Sequence, residues 1–410
     1  MSPVPASGTP QLAPNGGTEQ VRQLVQCGAT MYAVGKFTKI QRASTVYTRN
    51  NIVSFSAAAP FTVSSWAPDV NGTVNTIAFN GSDCSTAYIG GQFTSVNGSA
   101  AHNIAEISTS TGNLVAGFAH TANGQVENIL DYRGHLLTGG YFTSVNGSTH
   151  KYMASLSPAT GNDDGFISLN ISGNYHYCNG SKCSGGNGTR VYNQQLSHGG
   201  TLDLVEGDFT SVGGQPRQQI FMLDLSGSAA RVTGWYPTEF NQHCWFTEPF
   251  YTKGAAWSPD DSTIYTATTG FHLYNWNGSF PIPGVCDTAG AFPATQTTVT
   301  HTWLNYTGCD SLYTAVADAT TVYFGGHERW SENPRGCDKA GPGAIPASGM
   351  EGLSPATGNL IFNPGRSRGL GADDMLVTSG GLWIASDNYK NPGTCGGKSG
   401  HSGICFLPSA

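Results

Sequence analysis

One decapeptide recurs along the chain. IGGQFTSVNG occupies residues 89–98, TGGYFTSVNG 138–147 and VEGDFTSVGG 205–214, and a worn copy, AVGKFTKIQR, stands at 33–42. A chain that repeats itself at long intervals is made of units that cannot bury their apolar faces alone and must stack on one another. That requirement limits the fold more than composition does. The decapeptide is then either a site, repeated because it binds something, or a joint that every unit needs.

Other elements recur around it in fixed order. SPATGN appears at 157–162 and 354–359, and STSTGN at 108–113. Alternating runs accompany them: NNIVSF (50–55), NIAEI (103–107), YMASL (152–156) and IFMLDL (220–225). Alternation at period two marks half-buried strands. Each unit therefore has four strands. Strand A is a V-x-x-[IL] run (21–24, 74–77, 126–129), strand B leads into Gly-Gly-x-Phe, strand C is the alternating run, and strand D follows Thr-Gly-x-Leu. AAWSPDDSTIYTATTG (255–270), LYTAVADATTVYFGG (312–326) and DMLVTSGGLWIASD (374–387) keep the order without the full decapeptide. Strand A starts near 21, 74, 126, 191, 254, 312 and 374, a spacing of about 59 residues.

Seven four-stranded units predict an all-β fold, a seven-bladed β-propeller in one domain spanning 1–410, since closure removes exposed sheet edges. The last unit ends in strand C at GICFLPSA (403–410), and SGTPQLAPNG (7–16) resembles ATGNLIFNPG (356–365). Residues 7–14 are thus expected to complete the last blade as its outer strand.

Composition agrees. Charged residues are 11% and glycine reaches 55 of 410, which suits short strands and tight turns rather than helices. The net charge is −7 and the 19 basic residues are scattered, so no basic stripe exists for nucleic acid. No apolar run approaches the ~18 residues of a spanning helix, so no membrane insertion is expected. MSPVPASGTP has neither the basic segment nor the apolar core of a leader. Ten cysteines, with no CxxC pair, set the expectation of disulfides and of a secreted, extracellular protein whose leader is missing from this sequence. Nine N-x-[ST] triplets, most in Asn-Gly turns, are glycan acceptors or only turns, according to the host.

The order TG-x-L, V-x-x-I, G-x-x-x-x-GG-x-FTSVNG and an alternating strand resembles the delta-60 repeat of bacterial secreted and surface proteins. The resemblance is close over 70–225, partial over 310–387 and lost in the fifth unit. It implies a propeller in an extracellular setting and carries no catalytic residues.

Within the decapeptide, glycine permits close backbone approach, and Phe37, Phe93, Phe142 and Phe209 are expected to fill space between adjacent blades. Asn97-Gly98 and Asn146-Gly147 are turn formers. His102 and His150 beside them are expected in exposed loops, with Arg217 in the corresponding place. The decapeptide is read as a joint.

Function then belongs to what the repeats do not share. The insertions 168–189, 236–252 and 285–309 are read as D–A connections, and 327–349 and 388–402 as B–C loops, all on one face. Position suggests the pairs Cys178–Cys183, Cys244–Cys286, Cys309–Cys337, Cys395–Cys405 and Cys27–Cys84, although sequence does not fix connectivity. A zinc site from His176, Cys178, Cys183 and His198 is the weaker use of those cysteines. Tyr175, Tyr177, Trp245, Phe246, Trp303, Tyr306 and Trp330, with Phe240, either pack the loops or form a binding platform for sugar rings or a protein. His327 and Glu328 join that candidate face, because the sixth copy begins FGG and continues HERW.

The same face carries His243, Glu248, His301, Asp310, Arg329, Asp373 and Asp374, without a spacing that defines catalysis. No GxSxG or HExxH occurs, and GTCGGKSG (393–400) lacks the first glycine of a phosphate loop. No cofactor is expected; Asp373 and Asp374 could hold a structural cation or close a turn. The reading is a non-enzymatic module that binds a glycan, lectin-like, or an extracellular protein. A carbohydrate-active lyase or hydrolase and a structural subunit of an extracellular assembly are the alternatives.

Overall fold

The computed structural model describes residues 1–15, 17–183, 188–244, 248–271, 284–390 and 392–410, the side chains of Asn179 and Lys182 excepted. The chain forms two compact units, residues 1–169 with 373–410, and residues 170–372. The first unit holds four antiparallel meanders. Their strands A, B and C are Gln20–Cys27, Thr30–Lys36 and Ile52–Ser56; Thr73–Asn80, Asp83–Gln92 and Ile104–Ser108; Gln125–Tyr132, His135–Tyr141 and Met153–Leu156; and Asp374–Thr378, Gly381–Ala385 and Ile404–Pro408. In the first three the expected fourth strand shrinks to a single bridge, Phe55–Val63, Ile107–Leu114 or Leu156–Asp163.

The second unit holds three four-stranded meanders. These are Arg190–Leu196, Leu202–Asp208, Ile220–Asp224 and Arg231–Val232; Thr252–Trp257, Thr263–Thr268, Thr288–Pro293 and Trp303–Tyr306; and Leu312–Ala317, Val322–Gly326, Met350–Leu353 and Leu360–Phe362. Residues 285–309 are therefore not a D–A loop, because they contain strands C and D of the fifth repeat. Their sequence hides this: TAGAFP and WLNY lack the apolar alternation of the other C strands.

The decapeptide acts as a joint for reasons its residues make plain. Strand A carries a bulge where strand B ends, as at Val74/Thr76 and Val126/Asn128. The bulge presses strand A against the second glycine. A Cβ on Gly91 would lie 2.1 Å from the Thr73 carbonyl oxygen, and one on Gly140 2.3 Å from that of Gln125. No side chain fits there. Phe37, Phe93, Phe142 and Phe209 follow, each at most 2% exposed. The hairpin after the phenylalanine clasps the segment leading in from the preceding repeat, through Val70–Val96, Ala122–Val145 and Ile171–Val212. Asn97 locks the clasp: its Oδ1 accepts the Asp69 N–H at 2.7 Å, and its Nδ2 donates to the Gly112 carbonyl at 3.0 Å.

The chain's first residues lie out of the expected register. Ser2 N–H donates to the Pro408 carbonyl (2.7 Å) and Ala6 N–H to that of Phe406 (2.9 Å), so residues 2–6, not 7–14, run beside Ile404–Pro408. Gln11–Leu12 instead pairs with Lys39–Arg42. Leu12 thus plays for the first repeat the part that Val70 and Ala122 play for the next two.

Apolar residues of neighbouring strands form the cores. One cluster in the first unit gathers Phe37, Phe55, Phe61, Trp383 and Phe406, and one in the second gathers Tyr175, Trp235, Phe240, Phe250 and Phe292. Five disulfides, Cys27–Cys84, Cys178–Cys183, Cys244–Cys286, Cys309–Cys337 and Cys395–Cys405, use every cysteine. Among the described residues no helix is long and apolar enough to cross a membrane.

Candidate functional site

The sixth repeat keeps the joint and changes its chemistry. The carbonyls of Phe93, Phe142 and Phe209 accept N–H bonds from Asn103, Tyr152 and Gln219, and the Glu328 carbonyl accepts the equivalent bond from Gly349 at 3.0 Å. Glu328 therefore stands where four other repeats bury phenylalanine, Phe37 accepting the equivalent bond from Asn51, and it is itself 0% exposed. Glu351 pairs with Phe324 as Ala105 pairs with Ile89 and Ala154 with Thr138. Arg366 N–H bonds the Ser348 carbonyl as Ala122 N–H bonds that of His102, both at 2.8 Å. Three core positions that are apolar in the second and third repeats thus carry Glu, Glu and Arg, although the first of them is polar in the fifth and seventh repeats as well, where Thr269 and Asp387 accept the equivalent bond.

The buried carboxyl oxygens of Glu328 have no well-aligned hydrogen-bond partner, and those of Glu351 have only the Ser331 hydroxyl acting on them. Burial pushes Glu351 up to about 7. Burial and the neighbouring Glu351 push Glu328 well above the carboxylate range, with Arg366 opposing. A buried carboxyl stays neutral unless its charge is matched.

In front of this core lies a cleft of about 280 Å3, held entirely within the second unit. Its organising group is Asp310, whose side chain is 1% exposed. Arg329 grips it bidentately, Nε to Oδ2 at 2.7 Å and Nη2 to Oδ1 at 2.8 Å, and Arg368 Nη2 adds a third contact at 2.7 Å. Forked guanidinium–carboxylate contacts of this kind fix geometry as well as charge. Arg329 also pairs with Asp338, and Arg368 Nε donates to the His327 carbonyl. Cys309–Cys337 ties the base of the loop that supplies Asp338 to the strand side that supplies Asp310.

His327 Nε2 lies 3.9 Å from Asp310 Oδ1, and its Nδ1 3.4 Å from the Tyr313 hydroxyl. Burial, with Arg368 and Arg329 nearby, holds the imidazole below its usual range, against the pull of Asp310. Beneath the cleft, Ser311 Oγ donates to Asp287 at 3.0 Å. Burial drives the Asp287 carboxyl far up, and Asp310, Glu248 and Asp338 add to the rise.

The sequence candidates divide. His327, Asp310 and Glu248 converge at the cleft, with Glu328 buried behind it. Trp330 sits half-buried in the hairpin formed by Trp330–Ser331 and Ile345–Pro346. Trp303 is buried against Tyr265 and Phe324, its indole N–H donating to the Pro355 carbonyl at 2.9 Å, so it offers no face to a ligand. Tyr175 is 2% exposed and bonded through its hydroxyl to the Cys244 backbone. Tyr306 donates to the Gly284 carbonyl, and Tyr177 stacks on His243 at 4.2 Å. These four serve mainly as packing of the inserted segments. Trp245 and Phe246 lie outside the described residues.

Elsewhere, His301 pairs with Glu239 at 2.7 Å, and His150 with Asp163 at 2.9 Å. Cys178 and Cys183 are bonded to each other, with His176 Nε2 3.1 Å from Cys178 Sγ, while His198 holds Asp261. The sulfurs are therefore not thiolates that could hold zinc. Asp374 accepts the Leu24 N–H at 2.9 Å, tying two repeats of the first unit together. Sequence reasoning missed Arg368, Asp338, Tyr313, Tyr251, Asp287, Glu351 and Arg366. The last two had a signal: they fall at positions occupied by alanine in sister repeats.

No family model matches the sequence, and no curated protein does. Solved structures do. A structure of U3-55K aligns with a TM-score of 0.53 at 9% identity, covering 99% of this chain and 100% of that one. The WD40 repeats of RRP9 align with the same score and identity, covering 98% of each chain. The likeness shows a β-propeller repeat fold.

Proposed function

We propose that the chain is a secreted, non-enzymatic binding module that engages an extracellular protein or glycan at the cleft over Asp310. One observation carries the reading. The sixth repeat buries Glu328, Glu351 and Arg366 where the second and third repeats are apolar, and beside them His327, Arg329 and Arg368 gather around the buried Asp310, with Arg329 also held by Asp338 next to the Cys309–Cys337 disulfide. Burying ionisable groups in a core costs stability, and a binding site is a reason for a fold to retain them. Rigid repeats that carry a shaped loop cleft are a common arrangement for recognition.

Other features support the setting. Five disulfides suit an oxidising compartment. The seven meanders are read as seven blades of one ring, closed by residues 2–6 beside the last strand, and the repeat pattern as kinship with delta-60 proteins. The half-buried Trp330 is assigned to the binding face.

The test is a screen of the full chain against glycan and extracellular-protein arrays, beside Arg368→Ala and His327→Ala variants of unchanged melting temperature. Binding by the wild type that both variants lose supports the cleft. A ligand bound equally by all three moves the site elsewhere.

A second reading, a carbohydrate-active lyase or hydrolase, rests on the neutral His327 beside Tyr313 in the cleft. Polysaccharide cleavage that His327→Ala abolishes would establish it.

A further inference from the structure

We propose that a second pocket, at the turn of the sixth repeat's hairpin, binds one ring of a neutral saccharide. It shares no lining residue with the cleft over Asp310, so its ligand stands apart from the one assigned there.

The pocket is made by an insertion. Between the hairpin strands of the second repeat stand only Asn97 and Gly98. In the sixth, residues 332–344 take their place, between Trp330–Ser331 and Ile345–Pro346. They wall a cavity of about 300 Å3 against strand D of the fifth repeat, within the second unit. The wall is braced before any ligand arrives. Asn333 donates its N–H to the Tyr306 carbonyl at 2.7 Å and its Nδ2 to the Lys339 carbonyl at 3.0 Å, and its Oδ1 accepts the Gly341 N–H at 2.8 Å. Cys309–Cys337 anchors the same loop. A preformed site loses little entropy on binding.

The polar groups of the cavity are those the joint no longer uses. In the second repeat Asn97 Nδ2 donates to the Gly112 carbonyl at 3.0 Å and to Asn113 Oδ1 at 2.9 Å. In the sixth, Asn305 Nδ2 supplies the bond to the equivalent Gly358 carbonyl at 2.8 Å, and another to Ser331 Oγ at 3.0 Å. Asn359, the counterpart of Asn113, is thereby released, and among the described residues nothing bonds its exposed side-chain amide. Glu332 stands in the place of Asn97. Its Oε1 accepts the Leu360 N–H at 2.9 Å, while among the described residues Oε2 has no partner and the half-buried carboxylate no ion pair.

Donors and acceptors together decide the class. The Glu332 carboxylate only accepts, whereas the Asn359 amide and the Thr357 hydroxyl offer donors beside it. Lysine and arginine, which only donate, would leave those donors idle, and an anion would meet Glu332. Neighbouring hydroxyls on one ring both donate and accept, and so satisfy the whole set. Leu304, Pro334 and Pro342 supply aliphatic walls for the ring's C–H face. A volume of about 300 Å3 lies at the small end of ligand sites, which suits one ring rather than a chain.

The probe is an array of neutral mono- and oligosaccharides with short peptides beside them. The full chain is compared with Glu332→Gln, Asn359→Ala and the cleft variant Arg368→Ala, all checked for unchanged melting temperature. Glutamine keeps an acceptor for Leu360, and the Asn359 amide has no internal bond to lose, so both pocket variants are expected to fold. A saccharide should be bound by the wild type and by Arg368→Ala, and about tenfold more weakly by each pocket variant, one hydrogen bond's worth. Undiminished binding by either pocket variant overturns the assignment, as does an array on which no saccharide binds or only a peptide does. A saccharide that Arg368→Ala also loses belongs to the cleft over Asp310, which overturns the second site and leaves the cleft in place.

Discussion

The second and sixth repeats share a backbone and differ in what they bury. In the second, Phe93 fills the joint, Val96 pairs with the incoming connector and Asn97 ties down its turn. In the sixth, Glu328 occupies the phenylalanine's place, and Glu332, with φ of 53°, adopts the left-handed turn that Asn97 adopts at 49°. Glu332 Oε1 accepts the Leu360 N–H at 2.9 Å, a different bond from those Asn97 makes. The hydrogen bonds that define the joint run through backbone, so the side chains could change without losing it. The comparison teaches that the repeat fixes geometry and leaves chemistry open at one position.

The most forceful attempt to break that contrast is Phe93→Ala. Emptying a fully packed site should cost about 3–5 kcal/mol in denaturant unfolding. A loss under 1 kcal/mol would mean the joint is not packed as described. Disulfides come next. Removing Cys244–Cys286, which closes a separation of 42 residues, should cost about 4 kcal/mol, against about 2 for Cys178–Cys183 with a separation of 5. Equal melting shifts for the two double-alanine variants would contradict this ordering.

The buried acids give a pH-dependent contrast. Glu351 keeps its proton in the fold up to about 7, whereas an unfolded glutamate releases it near ~4.3. Its stabilising contribution is therefore complete below about pH 4 and is lost as pH rises towards 7, by roughly 4 kcal/mol. Glu351→Gln should flatten that decline in unfolding free energy between those limits. An unchanged slope would show that another group is responsible.

Glu328→Phe restores the sister residue and removes an unpartnered carboxyl. It should stabilise by about 1–3 kcal/mol while weakening binding at the cleft. Destabilisation would show that the sixth joint has been rebuilt around the acid. The smallest effect is expected from Asn97→Ala, about 1–2 kcal/mol for its lost clasp bonds.

Much of this was legible in the sequence, for identifiable reasons. Gly-Gly-x-Phe marks a close approach and a buried ring wherever it occurs, so the strand order followed from it. The outer strand of the last repeat was misplaced because SGTPQL matches a strand-D sequence, whereas strand D in the first unit is little more than one bridge. For Trp303 and Tyr175 the sequence leaves packing and surface both open, because aromatic residues in an insertion look alike whether packed or exposed. Glu328 stood in plain view in HERW. Only its alignment with Phe93 shows that it is buried, and no pattern announces that Arg368, 58 residues from Asp310, returns to the same aspartate.

The clasp also determines where this chain can be cut and rejoined. Each hairpin is sewn to a connector that belongs, in sequence, to the repeat before it, and for the first repeat that connector is Gln11–Leu12. A shuffled module bounded at the start of strand A would leave its hairpin without the strand it was shaped against. Grafts or permutations should therefore break just before a connector, not after it, and a chain trimmed past Leu12 would begin with its first seam already open.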